Sequence, residues 1–244
     1  MAFELQSYLA EFGALARDRG FVARTLCETS AGPLVVWEKA GDGLAAYLSA
    51  GMHGDEPAGP WAALELLRQG AFDDGPWLVC PALNPTGLAA GTRDNAEGID
   101  LNRDYWNRRT PEVQAHAAWL ESLPCPRIFI SLHEDWETSG FYFYEINLGD
   151  DRPDRAGAIL EAVRPWFPPE PGAMIDGHDI RDSGWIYHAA EADLPENWPE
   201  AIFLAKLGCP VSFTFETPSA NCLQDRIAAH VAAAKAAAAF PATL

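Results

Sequence analysis

The sequence predicts an α/β fold, and three observations carry that expectation. Short apolar runs of strand length alternate with helical stretches of about 12 residues, the pattern of a sheet with helices on both faces. The residue set AVILMFWYC makes up 48% of the 244 residues and aromatics 11%, which is enough apolar material for a full core without staples. No period repeats and no shift in composition marks a linker, so one domain over residues 1–244 is expected.

Taken in order, residues 3–18 place Phe3, Leu5, Tyr8, Leu9, Phe12, Leu15 and Ala16 at a spacing of about 3.6, which predicts an amphipathic helix. Strand-like runs follow at 21–26, 34–37 and 44–49, with Gly/Asp turn signals at 41–43. Residues 57–68 are helical in pattern, and 77–80 form a buried-strand candidate that enters a Pro/Asn/Gly-rich loop at 84–98. A helix is expected at 111–122, strands at 127–132 and 141–146 around a polar loop, and a helix at 155–166. Segment 168–199 is rich in Pro, Gly and Asp and is expected to cross one edge of the sheet as an irregular excursion. The alanine-rich tail, residues 227–240, is interrupted by His230 and Lys235 and closes the chain as a helix.

Charge and cysteine content narrow the function classes. With 17 basic and 35 acidic residues the net charge is −18, which argues against nucleic acid as a partner. The five cysteines form no C-x-x-C pair and predict neither a disulfide framework nor a zinc knuckle, so they are expected as buried small hydrophobes. The first residues mix Glu4 and Glu11 into the apolar pattern without a basic segment ahead of them, so a cytoplasmic location is expected. No apolar run reaches the roughly 20 residues of a membrane-spanning helix, and no membrane partner is expected.

The chemistry concentrates at strand ends. The third strand runs into AGMHGDEPAG, where His53 and Glu56 lie three residues apart and can point at a common centre. Alone this pair is weak, because H-x-x-E arises by chance in many chains. The apolar run in IFISLHEDWE stops at a second such end, with His133 just beyond it. In open α/β sheets ligands bind outside the carboxyl ends of strands, and two histidines with a glutamate make a known catalytic zinc set. The bland alternative for His133 is a polar loop residue after a strand. Two further features favour chemistry. The loop NPTGLAAGTRDNAEGIDLNRDYW carries Arg93, Asn102 and Arg103, fork-shaped donors suited to a carboxylate or a developing oxyanion. The apolar run VSFTF ends on Glu216, an acid too costly to bury unpaired and therefore expected to face a cavity.

HGDE, NPTG, TR, DLNRDYW, SLHEDW and FETPS stand in the order seen in zinc carboxypeptidases of the M14 family. The chain resembles most the short bacterial members of the murein-peptide-amidase type, over about 53–219. The resemblance implies a three-layer α/β/α sandwich with a mixed sheet of roughly eight strands, and one zinc ion per chain on His53, Glu56 and His133. It also implies Arg93 beside the scissile carbonyl, Asn102 and Arg103 on a terminal carboxylate, and Glu216 as general base and acid toward a metal-activated water. The family's mobile tyrosine has Tyr187, in SGWIYHAA, as its candidate, although Trp185 and His188 beside it also suit a substrate wall, and the three together an aromatic cluster packing a long loop. Asp55 stands where larger digestive members carry an arginine, so one auxiliary cation is missing.

Three functions follow for comparison. The first is a metallocarboxypeptidase that removes a C-terminal residue, or a unit bearing a free carboxylate, from small peptides. The second is an N-acyl amino acid amidohydrolase of the aspartoacylase and succinylglutamate-desuccinylase type, which shares H-x-x-E and the Asn-Arg pair; Glu216-Thr217-Pro218 favours the peptidase. The third is a silent binding module. His116 and His230, on predicted helices, are expected on solvated or half-buried faces, and His178 is expected to approach the cleft at most. Glu134, Asp135 and Glu137 are expected as a solvated rim or as support for His133. The acidic excess is expected on the outer surface around a small cationic site; the oligomeric state stays open.

Overall fold

The computed structural model describes residues 3–240. The chain runs α1 (Leu5–Asp18), β1 (Val22–Thr29), β2 (Gly32–Lys39), β3 (Ala46–Ala50), α2 (Ala58–Arg68), β4 (Trp77–Cys80), α3 (Pro85–Ala90), a 3-10 turn (Leu101–Arg103), α4 (Pro111–Glu121), β5 (Ile128–Asp135), β6 (Tyr142–Asn147), α5 (Pro153–Val163), β7 (Met174–Ile175), β8 (His178–Asp179), β9 (Trp185–Tyr187), α6 (Glu200–Lys206), β10 (Val211–Pro218) and α7 (Leu223–Ala238). Eight strands form one mixed sheet in the order β1-β2-β4-β3-β5-β10-β6-β9, and β7 pairs with β8 in a separate hairpin. The core run β4, β3, β5, β10 is parallel, whereas β6 joins β10 antiparallel.

Strand alternation decides which side chains meet which layer. On one face Ile130, Leu132, Phe143, Phe213 and Phe215 pack into the core beneath α1, α2, α5 and α7. On the other, Tyr47 and Phe129 pack beneath α4 and α6 in a second cluster. Each such fully buried large apolar side chain contributes about 1.5–3 kcal/mol of transfer free energy. Helix boundaries follow local chemistry: Thr110 Oγ1 accepts from the Val113 N–H at 3.3 Å, with Pro111 in the first turn of α4. Among the described residues, no helix is long and apolar enough to cross a membrane.

The structure differs from the sequence expectation at several places. Segment 84–98 is not loop throughout, because Asn84 caps α3, Pro85 opens it and Gly91 closes it at φ 68°. The strand β5 continues past its apolar run through His133 and Glu134 to Asp135, since β10 pairs with it to the end. Segment 168–199 supplies β9, an edge strand of the main sheet, and the β7–β8 hairpin, so it is more ordered than an excursion. His116 and His230 are fully buried rather than solvated. Tyr47 and Tyr105 hydroxyls lie 2.8 Å from the two His116 nitrogens, and Thr217 Oγ1 lies 3.1 Å from His230 Nε2. Burial pushes both imidazoles down to about 3. Of the cysteines, Cys80 and Cys209 are buried, Cys27 and Cys125 partly so, and Cys222 is exposed.

Candidate metal centre and cleft

The HGDE turn is locked to the NPTG turn by a contact that only glycine allows. A Cβ on Gly54 would stand 1.8 Å from the carbonyl carbon of Gly87, and the Gly54 N–H donates to Thr92 O at 2.9 Å. Asn84 ties the same parts together from within: its Nδ2 donates to Met52 O at 3.3 Å and to Arg93 O at 3.2 Å, while its Oδ1 accepts from the Gly87 N–H at 2.8 Å. His53 and Glu56 therefore leave the end of β3 on a fixed frame, just ahead of α2.

His133 enters from the neighbouring strand β5, and the three side chains converge. His53 Nδ1 lies 2.6 Å from Glu56 Oε1, His133 Nδ1 lies 2.9 Å from Glu56 Oε2, and the two Nδ1 atoms are 3.2 Å apart. All three residues are buried. The other ring nitrogen of His53 is 3.2 Å from Asp100 Oδ1, so in the neutral ring the carboxylate accepts from the Nε2–H and the Nδ1 lone pair points inward. That is the donor set and tautomer a zinc site needs. Burial disfavours the His53 imidazolium, yet Glu56 and Asp100 outweigh it and hold its pKa up at about 9. Burial pushes His133 below its ordinary value against the pull of Glu56. Glu56 itself is held far below the usual carboxylate range: burial opposes ionisation, but two imidazoles overcome it.

A second tier holds the first. Arg93 Nε and Nη2 donate to Asp100 Oδ2 at 3.1 and 3.0 Å, and Nη1 lies 3.6 Å from Glu56 Oε1. The Glu134 N–H donates to Glu56 Oε2 at 3.1 Å. The Glu134 side chain is no solvated rim: it points to the opposite face, accepts from the Ala58 N–H at 2.7 Å at the start of α2, and pairs with Arg226 of α7. Of that acidic trio, Glu137 alone is exposed.

The cleft above these residues measures about 370 Å3 and is lined by His53, Glu56, Arg93, Asn102, Arg103, His133 and Glu216, among others. Glu216 sits in register with His133 on the adjacent parallel strand, so both side chains emerge on the cleft face. Burial first, then the charges of Glu56, Asp135 and Asp176, push Glu216 well above the usual carboxylate range. Asn102 Oδ1 accepts from the Glu200 N–H at 2.9 Å, which joins the 3-10 turn to α6, and Arg103 Nη1 donates to Asn102 O at 2.9 Å.

Tyr187 is the expected site residue that the structure does not bring to the cleft. Its partner in β6 is Glu145, and that register puts Trp185 and Tyr187 on the face away from the cleft, where the Arg181 guanidinium lies 4.8 Å over the Tyr187 ring. Tyr142 and Tyr144 line the cleft instead. Their hydroxyls donate to Asp135 Oδ2 at 2.9 Å and to Asp176 Oδ2 at 2.5 Å. The alternation of Phe141 to Ile146 held the signal for them. Asp100 and Glu200 were also missed, since nothing marks a buried acid inside a loop or ahead of a short helix. The acidic excess is not confined to the outside either: Asp135, Asp176, Asp193, Glu200 and Glu216 line the cleft against Arg93 and Arg103.

Residues 42–162 match the family described as Succinylglutamate desuccinylase/Aspartoacylase catalytic domain. Carboxypeptidase SOL1 of Arabidopsis thaliana is 32% identical over a 94-residue alignment, covering 30% of this chain and only 19% of that protein. Among solved structures, a candidate metallopeptidase of Shewanella denitrificans OS217 matches with TM-score 0.84 and 24% identity, over 97% of this chain and 90% of its own. One from Shewanella amazonensis SB2B gives 0.83 and 25%, over 96% and 92%. The metallo-carboxypeptidase of Burkholderia cenocepacia gives 0.69 and 18%, over 95% and 67%. The mixed eight-stranded sheet and these likenesses agree, and the chain has the α/β fold of the metallocarboxypeptidase-like proteins.

Proposed function

We propose that the cleft hydrolyses the bond next to a free carboxylate in a small peptide, with zinc as its cofactor. The observation that carries this is the buried convergence of His53 Nδ1, Glu56 and His133 Nδ1 beside Glu216 on one face of the sheet. When bound there, zinc supplies a Lewis acid for the attacked carbonyl and acidifies water. Glu216, raised by burial and by its acidic neighbours, takes up a proton from the attacking water and returns it to the leaving amine. Arg93, fixed by Asp100, presents its guanidinium to the developing oxyanion. Arg103 and the amide of Asn102 meet the substrate carboxylate. The acids around them favour a substrate that also bears a cationic group. We infer that the protein works on soluble small molecules and not on nucleic acid or membranes, consistent with the net charge of −18.

Amidohydrolysis of N-acyl amino acids is the second reading, favoured by the family match at 42–162. That match contains His53, Glu56, Asn102, Arg103 and His133 but stops before Glu216. The test is direct. Chelator-treated protein, resupplied with zinc, should regain hydrolysis of short peptides with a free C-terminus and leave N-succinyl and N-acetyl amino acids largely intact. Activity on the acyl amino acids alone reverses the ranking, and hydrolysis indifferent to chelation and zinc removes the metal from the mechanism.

A further inference from the structure

The cleft holds another set of two histidines and one carboxylate, outside the machinery described above. His178 Nε2 lies 3.5 Å from Asp193 Oδ2, and His188 Nε2 lies 3.5 Å from Asp193 Oδ1. One donor atom from each of the three residues falls within 4.8 Å of the others. The separations matter. At 3.5 Å a nitrogen and an oxygen are too far apart for a good hydrogen bond. Two ligands on a tetrahedral ion with bonds of about 2.0–2.1 Å stand about 3.3–3.4 Å apart, close to the distance of each nitrogen from its own nearer oxygen of Asp193.

The backbone fixes both histidines. Asp176 and Gly177 both have positive φ, 47° and 77°, and form the two-residue turn between β7 and β8, in which His178 pairs with Ile175. The Tyr144 hydroxyl holds that turn through Asp176. His188 follows β9; its N–H donates to Glu145 O at 2.8 Å, and its Nδ1 lies 2.6 Å from Ala189 O. A carbonyl can only accept, so the proton sits on Nδ1 and the Nε2 lone pair faces Asp193 when the ring is neutral, the arrangement found in metal-ligating histidines. The two rings meet edge to face at 4.9 Å, each also packed against Tyr144. The imidazoles are 22% and 15% exposed and the Asp193 side chain 68%, which leaves a route for an ion to enter.

We propose that His178, His188 and Asp193 form a second divalent-metal site at the cleft, suited to a borderline transition ion such as Zn2+ or Co2+ and leaving a fourth position for water or an anionic group of a ligand. It stands independently of the role given to His53, Glu56 and His133. Metal-free full-length protein is titrated with Co2+ by calorimetry and by visible absorption. The expected result is two equivalents per chain, the outer one weaker. The double variant His53→Ala with His133→Ala keeps the outer equivalent and loses the inner one. His178→Ala and His188→Ala each lose the outer equivalent. Asp193→Asn, at an exposed position and nearly isosteric, weakens outer binding at least tenfold with an unchanged circular dichroism spectrum and Tm. A single equivalent in the wild-type chain, a second equivalent that survives both histidine variants, or Asp193→Asn binding like wild type overturns the site.

Discussion

The two clusters of the cleft, each of two histidines and a carboxylate, use the same donor types and differ in how they are enclosed. The inner one grows from the ends of β3 and β5, with its side chains 4–8% exposed, and its carboxylate contacts both imidazoles at 2.6 and 2.9 Å. The outer one grows from a hairpin and an edge strand, and its carboxylate is mostly in water, 3.5 Å from each nitrogen. Enclosure makes the inner carboxylate depend on charge complementarity, whereas the outer carboxylate stands in solvent. Burial alone does not set the sign of the effect. Glu56 and Glu200 are both enclosed, yet Glu56, flanked by imidazoles, is driven down, while burial pushes Glu200 up to about 7 because its donors are only the Tyr47 and Ser49 hydroxyls, at 2.7 and 2.8 Å.

Breaking the inner cluster should cost most. Glu56→Gln removes the anion between two imidazoles; peptide hydrolysis should fall at least about 1,000-fold and elemental analysis should show the inner metal gone while outer binding persists. Retained activity would mean the wrong cluster has been assigned to catalysis. Next comes Glu216→Gln, which removes the proton carrier without touching a ligand: turnover should drop roughly 100- to 10,000-fold with metal content unchanged. A smaller loss is expected from Asp100→Asn, which disturbs the tautomer of His53 and the anchor of Arg93. Inner metal affinity should weaken about 10- to 100-fold by competition with a chelator, and the outer site should not respond.

The smallest effect separates enclosure from metal binding altogether. Glu200 has a folded-state pKa of about 7, above its unfolded value, so its protonated form is favoured by folding. Its contribution to stability is therefore greatest below the unfolded pKa and is lost as pH rises toward and through about 7, by up to about 3 kcal/mol. Denaturant unfolding from pH 4.5 to 8 should show this downward component, and Glu200→Gln should flatten it. A variant that keeps the wild-type slope assigns the pH dependence elsewhere.

The α/β class and most elements were legible because alternation and helical spacing are local patterns; Trp77–Cys80 was bounded from them alone. His53, Glu56, His133 and Glu216 were legible because strand ends deliver side chains to one crevice. Tyr187 was misplaced for a reason of the same kind. Its facing depends on pairing with β6, and a shift of one residue in that register, invisible in the sequence, would have turned it toward the cleft. The acids Asp100 and Glu200, and the partnership of Glu134 with Arg226, depend on contacts between residues far apart in the chain, which no local pattern encodes. The outer cluster was hidden for that reason too, since no local pattern ties His178 and His188 to each other or to Asp193.

The position of β10 has a consequence for how the molecule is made. It lies between β5 and β6 in the sheet but follows both in the chain by more than sixty residues. A nascent chain that has not yet emitted Val211–Pro218 therefore carries β6 and β9 as a separate two-stranded ribbon with unpaired edges, prone to wrong pairing until the late strand arrives. Glu216 travels on that strand. The act that zips the sheet shut is also the one that delivers the proton carrier, so a chain ending before Val211 should be both inactive and readily cleaved within Tyr142–Asn147 by a protease that spares the full-length protein.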